Sequence, residues 1–437
     1  MTDGIRNQLG KALAAGGLVA TLAVGGAPAM AQDDTLKLGI VAFLSGAAAG
    51  PFGVPARNAA ELLIEHINAG TLPAPYDSAG LAGRKIQPVY IDEAGGTTTQ
   101  VTELRNLVQR ENVDAIVGYI SSGSCLAVAP VAEELQVLTV FFDCGTPRIF
   151  EENEYKYVFR TQPHATMDSV GAARYAKDKL GDIASYAGIN QNYAWGQDSW
   201  RDFVLAMQSI EPDAEVSTEL FPKLFAGEYG SEISALLVSN TDALHSSLWG
   251  GDLESFIFQS IGRGLPDRIP MVLTTGETVM FRLKDQMPDG AIMGARGPNG
   301  VLAHDTELNR WFQANFTDRY GTPPVYSAYH MAHAILGLKS AFDKAAEAKG
   351  GQPTTDEVVV AFENLTFESM GQTLEMALGN GHQAIGETAY GTFKFDQGAN
   401  TPTIVDVVRY PAACVNPPKD MTSTEWLEAG MPGAECG

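Results

Sequence analysis

Positive charge is the scarcest property of this sequence. Only 29 lysines and arginines stand against 52 aspartates and glutamates, a formal net charge of −23 at pH 7. A chain so acidic repels phosphate backbones and anionic lipid, which argues against DNA, RNA or a membrane surface as its partner. Cysteine is also scarce: Cys125, Cys144, Cys414 and Cys436 are the full set. No C-x-x-C occurs among them, so thiol oxidoreductase and zinc-ribbon readings have no support. No Gly-Lys-Ser/Thr triplet is present for a Walker loop, and no G-x-G-x-x-G follows the first expected strand. The seven histidines are scattered. His330 and His333 lie three apart on an expected helix without the Glu of a zinc motif, so they read as a surface or satisfied core pair rather than metal ligands.

What the sequence does have begins at its N-terminus. Arg6 and Lys11 precede a run of Ala, Gly, Leu and Val, then Ala29-Met30-Ala31 stands before polar Gln32-Asp33-Asp34. That order reads as a secretory signal peptide over residues 1–31. Position 32 is Gln, so no lipid-anchor cysteine follows the cut, and no later run is long enough to span a bilayer. Export permits disulfides. Cys414 and Cys436 both fall in a Pro/Gly-rich tail, residues 411–437, where a bridge would pin an end that lacks a core of its own.

From Leu36 onward strand-like and helix-like runs alternate. LKLGIVAF (36–43), IQPVYI (86–91), DAIVG (114–118) and VLTVFF (137–142) read as strands, with Pro88 suiting an edge. Between the first two, Ala60, Leu63, Ile64 and Ile67 share one helical face. A second series starts after Arg160, with strands near 183–189, 214–220, 243–249 and 270–275. Helices follow at 305–320, 326–349 and 355–365, with no new sheet expected among them, then a hairpin of 391–395 and 403–410. Alternation of this kind means βαβ units and parallel sheets covered on both faces, and two series suggest two similar lobes.

In such sheets ligands bind beyond the carboxyl ends of the strands. The stretch GYISSGSCLAVAP (118–130) occupies one such end. It is no nucleophile elbow: Ile120 stands two before Ser122, and Tyr119 two before Ser121, where glycine is needed. A helix starting there would present free backbone N–H groups to an anion, or the serines would simply cap that helix. Pro130 suggests a helix start later than the serines. Other turns carry Phe52, Asp143-Cys144-Gly145-Thr146, Tyr193 and Trp195, Gly250-Gly251-Asp252, and Gly276-Glu277.

The order of these motifs resembles the branched-chain amino acid (leucine/isoleucine/valine) type of substrate-binding proteins of ABC transporters, with a type I periplasmic binding protein fold. The resemblance covers about residues 35–410. It rests on LKLGIVAFLSGAAAGPFG, INAG, LAGRKIQPVYIDEAG, VDAIVGYISSGSCLAVAPVAEE, FRTQP, NYAWGQD, WGGD and VYSAYHMAHAILGLKSAFDKA. It implies two doubly wound α/β lobes with three crossovers. Lobe 1 would hold 33–160 and 296–375, and lobe 2 would hold 161–295 and 376–410. It also implies a monomeric, non-catalytic periplasmic protein without cofactor or metal. Such a protein captures a small molecule, foremost an amino acid, and delivers it to a permease and ATPase complex in the inner membrane. The alternatives are a binder of amides, urea or aromatic carboxylates in the same family, a sensory receptor, and, weakest, a secreted hydrolase.

Carried over residue by residue, the resemblance puts Ser122, beside Ser121, on the ligand carboxylate, with Cys144, Gly145 and Thr146 offering backbone groups and a hydroxyl. Phe52, Tyr193 and Trp195 would be the aromatic contacts, and Glu277 the partner of an ammonium. Asp252 stands where an aromatic is often found and is a second candidate for that ammonium. Cys144 in the ligand turn is a further departure. Cys125 and Cys144 would end adjacent strands, so a bridge beside the pocket is expected between them.

Overall fold

A computed structural model of the chain describes residues 35–436. The expected signal peptide lies outside the described residues. The first strands are β1 (Thr35–Ala42), β2 (Lys85–Asp92), β3 (Ala115–Gly118), β4 (Leu138–Phe141) and β5 (Val158–Arg160). They pair in parallel in the order β5-β4-β3-β1-β2. β1, β3 and β4 are almost wholly buried, which is why they read as unbroken apolar runs rather than alternating ones. β2 is the edge strand, so Pro88 stands where its missing N–H is tolerated.

The second sheet begins with β6 (Ser185–Ile189), β7 (Glu215–Leu220), β8 (Ala243–Ser246), β9 (Met271–Leu273) and β10 (Ile292–Gly294), parallel in the order β10-β9-β8-β6-β7. The chain then returns to the first sheet. Helices Glu307–Tyr320, Tyr326–Lys349 and Thr355–Phe362 follow, and β11 (Thr366–Ser369), β12 (Gln372–Leu378) and β13 (Gln383–Ile385) extend that sheet beyond β5. β14 (Thr388–Asp396) and β15 (Thr401–Tyr410) finish the second sheet as the expected antiparallel hairpin. The chain thus passes between the sheets three times.

Two expectations need correction. Strands that were not expected follow the late helices, although they extend the first sheet and form no new one: β11–β13 are short pieces broken by Gly371, Gly379 and Gly381, all at positive φ. The last passage therefore falls after Ile385, and a boundary at 375/376 would cut through β12. The tail also has a core. Its helix Ser423–Glu428 opens on a capping box between Thr422 and Glu425, and Trp426 and Leu427 are buried with Phe203 and Met207 of helix Ala194–Ile210. The structure joins Cys414 to Cys436 and Cys125 to Cys144.

The helix after β3 runs Ser122–Glu134 with Pro130 in its interior, so it starts at the serines and not later. Ser121 takes the N-cap position but its side chain makes no capping bond. The buried carboxylate of Glu93, just past β2, accepts the N–H groups of Ile120 (2.7 Å) and Ser121 (2.8 Å) instead. Two strand ends are thereby locked together where the turn after β3 begins.

Candidate ligand-binding site

The carboxyl ends of the two sheets face each other across a narrow cleft with about 220 Å³ of empty space, part of it open to solvent. Its first wall comes from elements of the first sheet: Phe52 after β1, Ile120 and Ser122 after β3, Asp143 and Gly145 after β4, and Tyr326 at the head of helix Tyr326–Lys349. The opposite wall comes from the second sheet: Tyr193 and Trp195 after β6, Trp249 after β8, Thr275 after β9 and Arg296 after β10.

Four rings form the apolar part. Phe52 meets Trp249 and Tyr326 edge-on, at 5.4 and 5.3 Å between centroids. Trp195 lies against Gly145 so closely that a Cβ there would sit 2.1 Å from the indole; only glycine allows this approach. The indole N–H of Trp195 is satisfied by the Ser247 carbonyl at 2.9 Å, and the Arg296 guanidinium stands 4.5 Å from its ring.

The polar part follows from who already holds whom. Ser122 Oγ accepts the N–H groups of Gly145 and Thr146, each at 3.2 Å, so both lone pairs are in use and its O–H is left to donate. Tyr193 accepts from Trp249 Nε1 at 2.7 Å and likewise keeps its proton for another partner. Burial pushes both Tyr193 and Tyr326 well above the ordinary tyrosine range, so they stay protonated. Thr275 gives its proton to the Leu248 carbonyl and is left as an acceptor.

Arg296 and Asp143 are the charged members of the lining. Arg296 Nη1 binds both the carboxylate and the carbonyl of Asp143, and its Nε binds Asp168 at 3.0 Å. All three side chains are buried. Burial works against the charge of Arg296, but Asp143 and Asp168 outweigh it and raise the guanidinium's pKa. Burial raises Asp168 to about 7 against the pull of Arg296. His330, held below its ordinary value by burial, donates Nδ1–H to Asp143 at 2.9 Å. Asp143 Oδ2 is buried with no hydrogen-bond partner.

Among the expected site residues, Phe52, Ser122, Gly145, Tyr193 and Trp195 line the cavity. The others stand elsewhere. Ser121 sits behind, on Glu93. Cys144 is bonded to Cys125 in the apolar layer under β3 and β4. Thr146 points its hydroxyl across to Asp198 at 2.5 Å. Asp252 accepts from Gln191, Phe225 N–H and Gly227 N–H, tying down the loop after β7. Glu277 is fully buried and accepts the N–H of Tyr326 at 2.7 Å, with burial raising it to about 8.

Asp143, Trp249, Thr275, Arg296, Ile120 and Tyr326 were not singled out from the sequence. Asp143 and Trp249 carried a signal, since both stand in the motifs D-C-G-T and W-G-G-D at strand ends. Arg296 carried none, because β10 is three residues long and shows no period.

The family model for periplasmic binding proteins matches residues 35–399. A Leu/Ile/Val-binding protein homolog 6 from Brucella abortus (strain 2308) is 22% identical over 351 residues, covering 78% of this chain and 84% of that one. A solute-binding protein of an ABC transporter from Rhodopseudomonas palustris BisB5, solved with 3,4-dihydroxybenzoic acid, superposes with a TM-score of 0.73 at 20% identity, over 87% of this chain and 98% of its own. The branched-chain amino acid transporter substrate-binding protein LivJ from Streptococcus pneumoniae, solved with isoleucine, gives 0.69 at 16% identity, over 86% and 99%. This chain folds as two largely parallel sheets with three passages between them and a cleft at their facing carboxyl ends, and it belongs to the periplasmic binding protein family.

Proposed function

We propose that this chain is the periplasmic solute-binding component of an ABC transporter. It captures a small carboxylate-bearing ligand, foremost an amino acid with a bulky apolar or aromatic side chain. The two sheets are then the cores of two lobes, hinged at the three passages, and closure presents both lobes to a membrane permease. A signal peptide over residues 1–31 fits delivery to the periplasm, and a monomer without catalysis or cofactor fits the role.

The observation that carries this reading is the sorting of polar groups around the rings. Ser122 and Tyr193 have a proton left to give, and with Arg296 they suit a carboxylate. Asp143 Oδ2 and Thr275 are acceptors and suit an ammonium. Phe52, Trp195, Trp249 and Tyr326 suit an apolar body between those ends.

One observation favours a second reading, an aromatic carboxylate. Asp252 and Glu277, expected to meet an ammonium, both have other partners, so a single carboxylate remains in the lining and Arg296 already pairs with it. A ring hydroxyl would need only one acceptor there. Calorimetry with leucine, phenylalanine, benzoate and 4-hydroxybenzoate separates the two. Binding of either amino acid supports the first reading. Binding of the benzoates alone replaces it with the second, and failure of all four removes both.

A further inference from the structure

We propose that the chain carries a second ligand site, for a small organic ammonium ion, in the pocket between the C-terminal tail and the first passage between the sheets. This goes beyond the cavity described above and shares none of its lining residues. The pocket holds about 910 Å³ of empty space, part of it open to solvent. Phe150 and Tyr155 form one side, Gly379–Asn380 another, and Lys419–Glu425 of the tail closes it. The family match ends at residue 399, so the closing wall lies outside it.

His164 lies among the lining residues, 2% exposed, with no hydrogen-bond partner at either ring nitrogen. Buried polar groups in folded proteins are almost always paired, and an imidazole with both nitrogens idle needs an explanation. Burial, then Arg160, Arg296 and Arg201, push its pKa well below the ordinary value, so the ring is neutral and one nitrogen is an acceptor. Nearby, Glu151 Oε1 takes both the N–H and the O–H of Ser423. Glu154, Asp420 and Glu425 stand in the lining with Glu151 against a single Lys419. Four carboxylates against Lys419 and the buried Arg160, whose guanidinium stands 5.7 Å from the Phe150 ring, still leave an excess of negative charge that favours a cation. Among the described residues no group of three His, Cys, Asp or Glu is placed to hold a metal ion. An organic cation fits the lining: its N–H groups would reach the imidazole and a carboxylate, and its carbon stem would lie along Phe150 and Tyr155.

The test is calorimetry of the exported chain with 1,4-diaminobutane and ethanolamine, and acetate as the anionic control. One equivalent of amine is expected to bind. His164→Gln and the rim variant Glu154→Gln/Asp420→Asn are each expected to weaken it about ten- to a hundredfold, as loss of charge-assisted hydrogen bonds would. The rim variant changes exposed side chains and decides the matter even where His164→Gln does not fold. Trp195→Ala removes a wall of the other cavity and is expected to leave amine binding in place, so failure there and failure here are told apart. No amine binding at millimolar concentration overturns the site. So does binding that survives both variants, disappears with Trp195→Ala, or is matched by acetate.

Discussion

The Ser122 hydroxyl and the Asp252 carboxylate stand at equivalent places, each just past a parallel strand, yet they do different work. Ser122 is held by two backbone N–H groups and keeps a proton for the cavity, whereas Asp252 spends both oxygens on Gln191, Phe225 and Gly227. Asp252→Ala is expected to leave one buried and two part-buried donors unpaired and cost about 1–3 kcal/mol of stability, with ligand affinity within about threefold of the parent. Ser122→Ala is expected to weaken the ligand about tenfold or more. Paired calorimetry and urea unfolding check this; a loss of affinity in Asp252→Ala equal to that in Ser122→Ala would sink the assignment. The sequence shows which residues follow a strand, and Phe52, Ser122, Gly145 and Trp195 were legible on that basis. It does not show which way each one turns. Thr146 is one residue from Gly145 and faces Asp198, and Glu277 is two from Thr275 and faces the backbone of Tyr326.

At the scale of elements, legibility followed length and burial. The helix Val54–Ala69 was readable because Ala60, Leu63, Ile64 and Ile67 bury one face and Gly70 ends it in a left-handed conformation. β5 and β10 have three residues each, too few for any period, yet β10 delivers Arg296 to the cavity. The tail was misread because composition describes solvation and not packing: its prolines and glycines flank a capped turn of helix that buries Trp426. Cys414 and Cys436, 22 residues apart, close that segment into a loop. Replacing both by serine is expected to cost about 3 kcal/mol, the entropy of a loop of that length. Because Trp426 bonds the Pro432 carbonyl inside the loop, its fluorescence is expected to move to the red in the same variant. An unchanged unfolding midpoint and emission maximum would mean that packing on helix Ala194–Ile210 holds the tail unaided.

Over the whole molecule, buried ionisable groups set how stability depends on pH. Glu93 and Glu277 are fully buried, and burial raises each to about 8. In the unfolded chain a glutamate titrates near ~4.3. Between those values the folded state holds protons that the unfolded state lacks, so stability falls as pH rises, and it levels off above about 8. Burial depresses His164, His245 and His333, which act in the opposite sense. Their contribution makes stability rise with pH up to the ordinary histidine value of 6.5 and is silent above it. Below that value the two sets oppose each other, together with Asp202, raised by burial to about 6. Between 6.5 and about 8 the histidines no longer titrate, and Glu93 and Glu277 dominate, with a smaller share from Asp168. Stability is therefore expected to decline across this window, by on the order of 1 kcal/mol per pH unit for each glutamate. Urea unfolding at its two ends checks this. Glu277→Gln keeps an acceptor for the Tyr326 N–H, whereas Glu93→Gln keeps one for only one of the Ile120 and Ser121 N–H groups and also lowers stability at every pH; each is expected to remove part of the decline, the double variant most of it. A parent chain equally stable at both ends would show that these carboxylates ionise in the folded state as readily as in water, and that their burial is relieved by solvent.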